Sequence, residues 1–111
     1  MSSPSEIVEF LKARLDEDEA AAKAWLLFGN PDATQREHTA RHDPARVLAE
    51  VEAKRRRLAR HVPTEDPLHG TLCSWCSVPQ VSVYQAWPCA DIRDDVAVYA
   101  DHPNCRDEWR S

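Results

Sequence analysis

Four cysteines and five histidines carry the most specific chemistry in this 111-residue sequence. Cys73 and Cys76 form a C-x-x-C pair, Cys73-Ser74-Trp75-Cys76. In a cytosolic chain such a pair reads as a metal knuckle or a redox motif more readily than as a structural disulfide. The redox version needs a helix N-terminus directly after the first cysteine, to lower the thiolate pKa. Strand-like residues flank this pair and Val78-Pro79 follows soon after, which makes a poor helix start. Zinc takes four nitrogen or sulfur ligands in a tetrahedron, so the pair needs two more. Cys89 follows Cys76 with twelve residues between, a separation that a return strand can bring back to the knuckle. It also stands in the first turn of a predicted helix, where the dipole favours a thiolate. For the fourth ligand His61, separated from Cys73 by eleven residues, comes first, then His69, then Cys105, with His102 also beyond the last helix. Three cysteines and one histidine form a closed set with no open position for water or substrate, so the zinc would be structural. The competing reading is that Cys89 and Cys105 are small buried hydrophobes and the pair binds nothing.

The elements that must position these groups are mostly helical. Ser3-Pro4-Ser5-Glu6 has the form of a capping box, and Ile7, Leu11, Leu15, Ala22 and Trp25 recur at roughly helical spacing behind it. Gly29-Asn30-Pro31 stops this helix, with Gly29 as a left-handed cap. The acidic run Asp16-Glu17-Asp18-Glu19 is read as a solvated face, because like charges on consecutive residues point in different directions. A short helix is predicted from Asp32 to about Arg41 or His42. A longer one opens at Asp43-Pro44, carries Val47, Leu48, Val51 and Leu58, and ends before Val62-Pro63. From Pro63 the composition shifts. Thr64–Leu68 reads as a linker, and Gly70-Thr71-Leu72 and Val81-Ser82-Val83-Tyr84 as two short strands around the knuckle. A last amphipathic helix carries Ile92, Val96 and Tyr99, with one further turn near Trp109. Trp25 and Trp87 are expected in the core, and Trp75, on the knuckle, as an exposed contact.

Charge is distributed unevenly. Residues 1–31 hold six acids and three bases, residues 32–60 five acids and eight bases, and residues 61–111 eight acids and three bases. The net charge of −5 therefore hides a basic middle, concentrated in Lys54, Arg55, Arg56, Arg57 and Arg60. That cluster is either a phosphate or nucleic-acid contact or a set of charges complementing the helix dipole and the acidic flanks. No aromatic residue interleaves with it, as a single-strand binder wants, which favours the second.

Several functions are excluded or weakened by what is missing. Two glycines cannot build a phosphate-cradling loop or a dinucleotide fingerprint. The zinc-deaminase signature is absent, because Pro88-Cys89 is not followed by a second cysteine. No nucleophile-elbow pattern surrounds a serine or cysteine. His42-Asp43 and Asp101-His102 read as caps at helix junctions rather than as acid–base pairs. No stretch of 18 apolar residues crosses a membrane, and the N-terminus lacks the basic and apolar regions of a signal peptide, so a cytoplasmic location is expected.

Three stretches resemble a family of small proteins encoded by actinobacteria and their phages, the domain of unknown function 6221. They are Glu9–Glu19, Ala40–Arg56 (including His42-Asp43-Pro44) and Tyr99–Trp109 (including Asp101-His102-Pro103-Asn104-Cys105). Relatives show a histidine near the end of the long helix, a C-x-x-C pair and a Pro-Cys before the last helix, which His61, Cys73, Cys76 and Pro88-Cys89 match. They usually carry Tyr in place of Cys105, which the resemblance therefore argues against as a ligand. This chain departs from the family at Ala90-Asp91, which bears on the local helix start. No activity comes with the family.

The sequence thus predicts a mainly α protein, one small helical domain over 1–111 with a short β-hairpin zinc knuckle near the C-terminus. Residues 1–62 are the helical part, and 63–111 the knuckle and C-terminal helix. The expected role is a non-enzymatic, structural-zinc protein that binds another protein, with His61, Cys73, Cys76 and Cys89 as ligands. The alternatives are a nucleic-acid-binding accessory protein using residues 54–60 and the knuckle, and a thiol redox protein using Cys73 and Cys76.

Overall fold

The computed structural model describes residues 3–29 and 43–109. Among these, α1 (Pro4–Phe28) and α2 (Pro44–Arg60) are followed by the hairpin β1 (Pro63–Asp66) and β2 (Gly70–Cys73), then by α3 (Ala90–Ala97). Single 3-10 turns stand at Pro79–Val81 and Asp107–Trp109. The architecture is the mainly helical one expected, with a two-stranded antiparallel hairpin in the C-terminal half. The short helix predicted from Asp32 to Arg41 or His42, and His42 itself, lie outside the described residues.

Both long helices start at proline, whose missing N–H costs nothing in the first turn. Asp43 caps α2 by accepting from the Ala45 N–H at 2.8 Å. Ser3 makes no such bond, and Glu6 does not reach back to it. Glu6 instead sits 2.6 Å from Arg106, because a full opposite charge outcompetes a backbone N–H. Gly29 closes α1 with its N–H on the Trp25 carbonyl at 2.8 Å and φ of 77°, a sign glycine adopts without a Cβ penalty; its ψ of 173° is extended rather than left-handed helical.

One core joins the three helices and the tail. Ile7, Phe10 and Leu11 of α1 meet Leu58 of α2, Ile92 and Val96 of α3, and Trp109. The Phe10 ring lies 5.3 Å from Trp109 and 6.3 Å from Tyr99. The tryptophan pattern differs from expectation: Trp109 is buried, while Trp25 and Trp87 are half-buried. Trp87 packs at the edge of the core and its indole N–H donates to the Pro4 carbonyl at 3.1 Å. Arg14 is buried as well, between His102 Nδ1 at 3.0 Å and Glu17 at 2.9 Å.

The acidic run of α1 proves to be more than a solvated face. Asp16 and Glu19 hold Arg55 of α2, Glu17 holds Arg14, and Asp18 accepts from the Tyr99 hydroxyl at 2.6 Å. The four acids thus divide among these three partners, with Asp16 and Glu19 sharing Arg55.

The hairpin lies upstream of the predicted one. Gly70–Leu72 is in a strand, but its partner is the segment read as a linker, in the register Pro63↔Cys73, Thr64↔Leu72, Glu65↔Thr71 and Asp66↔Gly70. The turn explains this. The Asp66 carboxylate accepts from the Leu68 and His69 N–H groups, both at 2.9 Å, and Gly70 takes φ of 77°. Val81–Tyr84 is not a strand. Val81 and Val83 stay exposed, and Ser82 at φ of 58° breaks the extended run. The return pass against β2 comes slightly later: Cys73 N–H donates to the Gln85 carbonyl at 2.8 Å and Trp87 N–H to the Thr71 carbonyl at 3.0 Å.

Candidate metal centre

Each of the four predicted ligands is delivered by a different local device. His61 is the C-cap residue of α2, where Val62-Pro63 turns the chain into β1. Cys73 ends β2, and the Cys73–Cys76 turn is tied back by the Ser77 N–H on the Cys73 carbonyl at 3.1 Å. Ser74 locks this turn to the exit of α2: its N–H donates to the Val62 carbonyl at 3.0 Å and its Oγ accepts from the Val62 N–H at 3.3 Å. Cys89 is the N-cap residue of α3, carried there by the pairing of Gln85 and Trp87 with β2.

These devices converge on one point. His61 Nδ1 lies 3.3 Å from Cys73 Sγ, 3.5 Å from Cys76 Sγ and 3.3 Å from Cys89 Sγ. All four donor atoms fall within 4.8 Å of one another. A tetrahedral ion with zinc-like bonds sets nitrogen and sulfur about 3.6 Å apart and sulfurs about 3.8 Å apart. The group therefore fits a single ion with little movement. His61 and Cys73 are buried, as is Cys89, and Cys76 is half-buried. None of the four cysteines in the chain is in a disulfide.

The electrostatics call for a cation. Burial pushes the Cys76 thiol up to about 12, helped by the neighbouring Cys73 and Cys89. Burial also raises Cys89, against an opposing pull from the Ile92 backbone N–H. Cys76 and Cys89 therefore resist ionisation unless a positive charge is supplied, and a divalent metal would supply it. The upward shift of Cys76 is the reverse of the lowered thiol that redox chemistry draws on.

Around this centre lie groups the sequence did not single out as such. His61 Nε2 is 3.5 Å from Asp91 Oδ2, so a carboxylate backs the ring on the side away from the thiols. Asp91 belongs to the dipeptide at which the chain departs from the resemblance, the one signal that could have pointed to it. The Trp75 ring stands 6.3 Å from the His61 ring, 61% exposed, with the Arg60 guanidinium 5.5 Å above it.

The other candidates for the fourth ligand are elsewhere. His69 sits in the β1–β2 turn, stacked on Tyr84 at 3.8 Å and 3.0 Å from Asp66. Cys105 is buried in the core, and His102 Nδ1 meets Arg14 and the Asn104 N–H, both at 3.0 Å.

Each residue of the basic cluster has a neighbour within the fold, while Arg56 and Arg60 stay exposed. Lys54 lies over the Tyr99 ring at 5.7 Å, Arg55 binds Asp16 and Glu19, and Arg56 lies 3.8 Å from Glu52. Arg57 is 3.5 Å from Asp95, and Arg60 covers Trp75. The basic middle is thus held between acidic flanks from both ends of the chain. Among the described residues, no helix is long and apolar enough to cross a membrane.

No curated protein and no solved structure matches the chain. A family model matches it over residues 4–111, nearly its whole length, and that span includes every group of the cluster. The chain belongs to the family of unknown function DUF6221.

Proposed function

We propose that this is a small non-enzymatic zinc protein whose metal staples the C-terminal half to α2, and that it acts by binding another protein. The convergence of three thiols on His61 Nδ1 at 3.3–3.5 Å carries the metal part. Three sulfurs and one nitrogen suit zinc better than the harder divalent ions, and four protein ligands leave no site for water or substrate. The zinc is accordingly structural, and the protein needs no catalytic group. A reducing compartment such as the cytoplasm keeps these thiols available for metal. With the family resemblance, this fits an accessory role in a phage or its host.

Protein binding is supported by Trp75 and Arg60, an exposed aromatic on the knuckle capped by a guanidinium, the residue types that anchor interfaces. The internal partners of all five basic residues favour this over nucleic acid. Elemental analysis of purified protein tests the metal: one zinc per chain is expected, and none in Cys73→Ser. For the partner, Trp75→Ala and Arg60→Ala proteins with full zinc content should lose a specific complex that the unaltered chain retains. A gel shift with DNA or RNA at physiological salt, abolished by Arg56→Glu with Arg57→Glu, would favour nucleic acid instead.

A further inference from the structure

A groove runs between α1 and α2, and His61 is among the residues that line it. Its volume is about 560 Å³. That falls inside the range of about 300–1,000 Å³ usual for small-molecule sites. Val8, Leu58, Ala59, Val62 and Pro63 make it apolar, and Val62 is 47% exposed there with nothing from the described chain over it. Polar groups lie on the remaining wall: Lys12, Asp16 and Arg55. Arg55 is already shared by Asp16 and Glu19, so its charge is answered. Lys12 makes no ion pair among the described residues. The groove thus offers an apolar body and one unanswered positive charge.

We propose that the groove between α1 and α2 is a binding site for a small apolar carboxylate, its hydrocarbon lying on Val8, Leu58 and Val62 and its anion at Lys12. Charge selects a monoanion. A single ammonium neutralises one carboxylate, whereas a phosphate dianion would also meet the Asp16 carboxylate without a second free cation. The site adjoins the metal centre through His61, and it does not depend on protein binding at Trp75.

The test uses the full-length, zinc-loaded protein with octanoate and 1-octanol as probes, followed by amide shifts in NMR. Octanoate should bind saturably below about 1 mM and move the amides of Val8, Leu58 and Val62. Lys12→Met should weaken octanoate about fivefold, the size of one partly exposed ion pair, and leave octanol unchanged. Ala59→Trp places an indole in the groove from an exposed position and should abolish both, with zinc content intact. No saturable octanoate binding, shifts at a different surface, or equal affinity for octanoate in the Lys12→Met protein would each overturn the proposal. Lys12 is exposed on α1, so its variant retains the fold if Ala59→Trp does not.

Discussion

Removing the metal should unfold one part of this protein and spare the rest. Between Pro63 and Pro88 the only buried apolar residues are Leu72 and Cys73. Burying a leucine and a cysteine contributes about 3–4 kcal/mol at most. Ordering the backbone costs about 1–2 kcal/mol per residue, and hydrogen bonds return about 1 kcal/mol each. The hairpin, the knuckle and the return segment therefore lack a core of their own. A structural zinc site contributes about 10–16 kcal/mol in apparent binding free energy, more than the two buried side chains together. Only Cys73 of this stretch belongs to the main core, with Cys76 and Trp87 packed against it, while Ile7, Phe10, Leu11, Leu58, Ile92, Val96 and Trp109 all lie outside it. Hydrogen exchange read by mass spectrometry, with zinc and after chelation, is the assay. Chelation should strip protection from the amides of Cys73, Ser74, Ser77 and Trp87, all hydrogen-bonded around the knuckle. Protection in the first half of α1 should persist. Unchanged protection across residues 70–87 after complete zinc removal would refute the reasoning.

Other perturbations have distinct signatures. Arg55→Glu, which puts a like charge beside Asp16 and Glu19, should lower the melting temperature by about a few degrees, whereas Arg56→Glu should change it little. Trp109→Ala should cost about 3–5 kcal/mol in denaturant unfolding, because this buried ring packs on Phe10. The Asp95 carboxyl is raised above its ordinary value of 3.8, by burial first, against the pull of Arg57 and Lys54. Its contribution to stability is full below the unfolded value and is lost as pH rises through the folded one, so Asp95→Asn should remove that decline from pH-dependent melting curves. Glu19 behaves oppositely. Its hydrogen bonds to Lys23 and Arg55 hold it below 4.5, so its contribution is present above that value and fades as the solution is acidified; Glu19→Gln should flatten the acid limb.

What could be read from the sequence was set by local signals. Pro4, Pro44 and Asp43 mark helix starts through backbone chemistry that no later contact alters, and the structure keeps them. The four groups that the structure brings together were legible as candidate metal ligands because thiols at C-x-x-C spacing admit few uses, although spacing alone left His61, His69 and Cys105 open. Position decided among them: the C-cap of α2 aims His61 at the knuckle, and the Asp66 turn holds His69 away. The strand pairing was misjudged because β propensity in Val81 and Val83 describes side chains that find nothing to pack on, while Thr64-Glu65-Asp66 owes its strand to a turn outside itself. Trp109, Arg14 and Asp91 escaped notice because each acquires its role from a partner remote in sequence: Phe10, His102 and His61. A pattern over a window of residues cannot register such partners.

The way the tail lies along α1 bears on how the chain assembles. Pro4 meets Trp87, Glu6 meets Arg106, Phe10 meets Trp109, and Asp18 meets Tyr99. The α1 helix is therefore covered by residues that lie far downstream of it in the chain. Until residues 87–109 have been made, Ile7, Phe10 and Leu11 lack much of their cover, and contacts of such long sequence separation are slow to close. In that interval the nascent chain carries an amphipathic helix in search of cover, and chaperone contact or aggregation competes with folding.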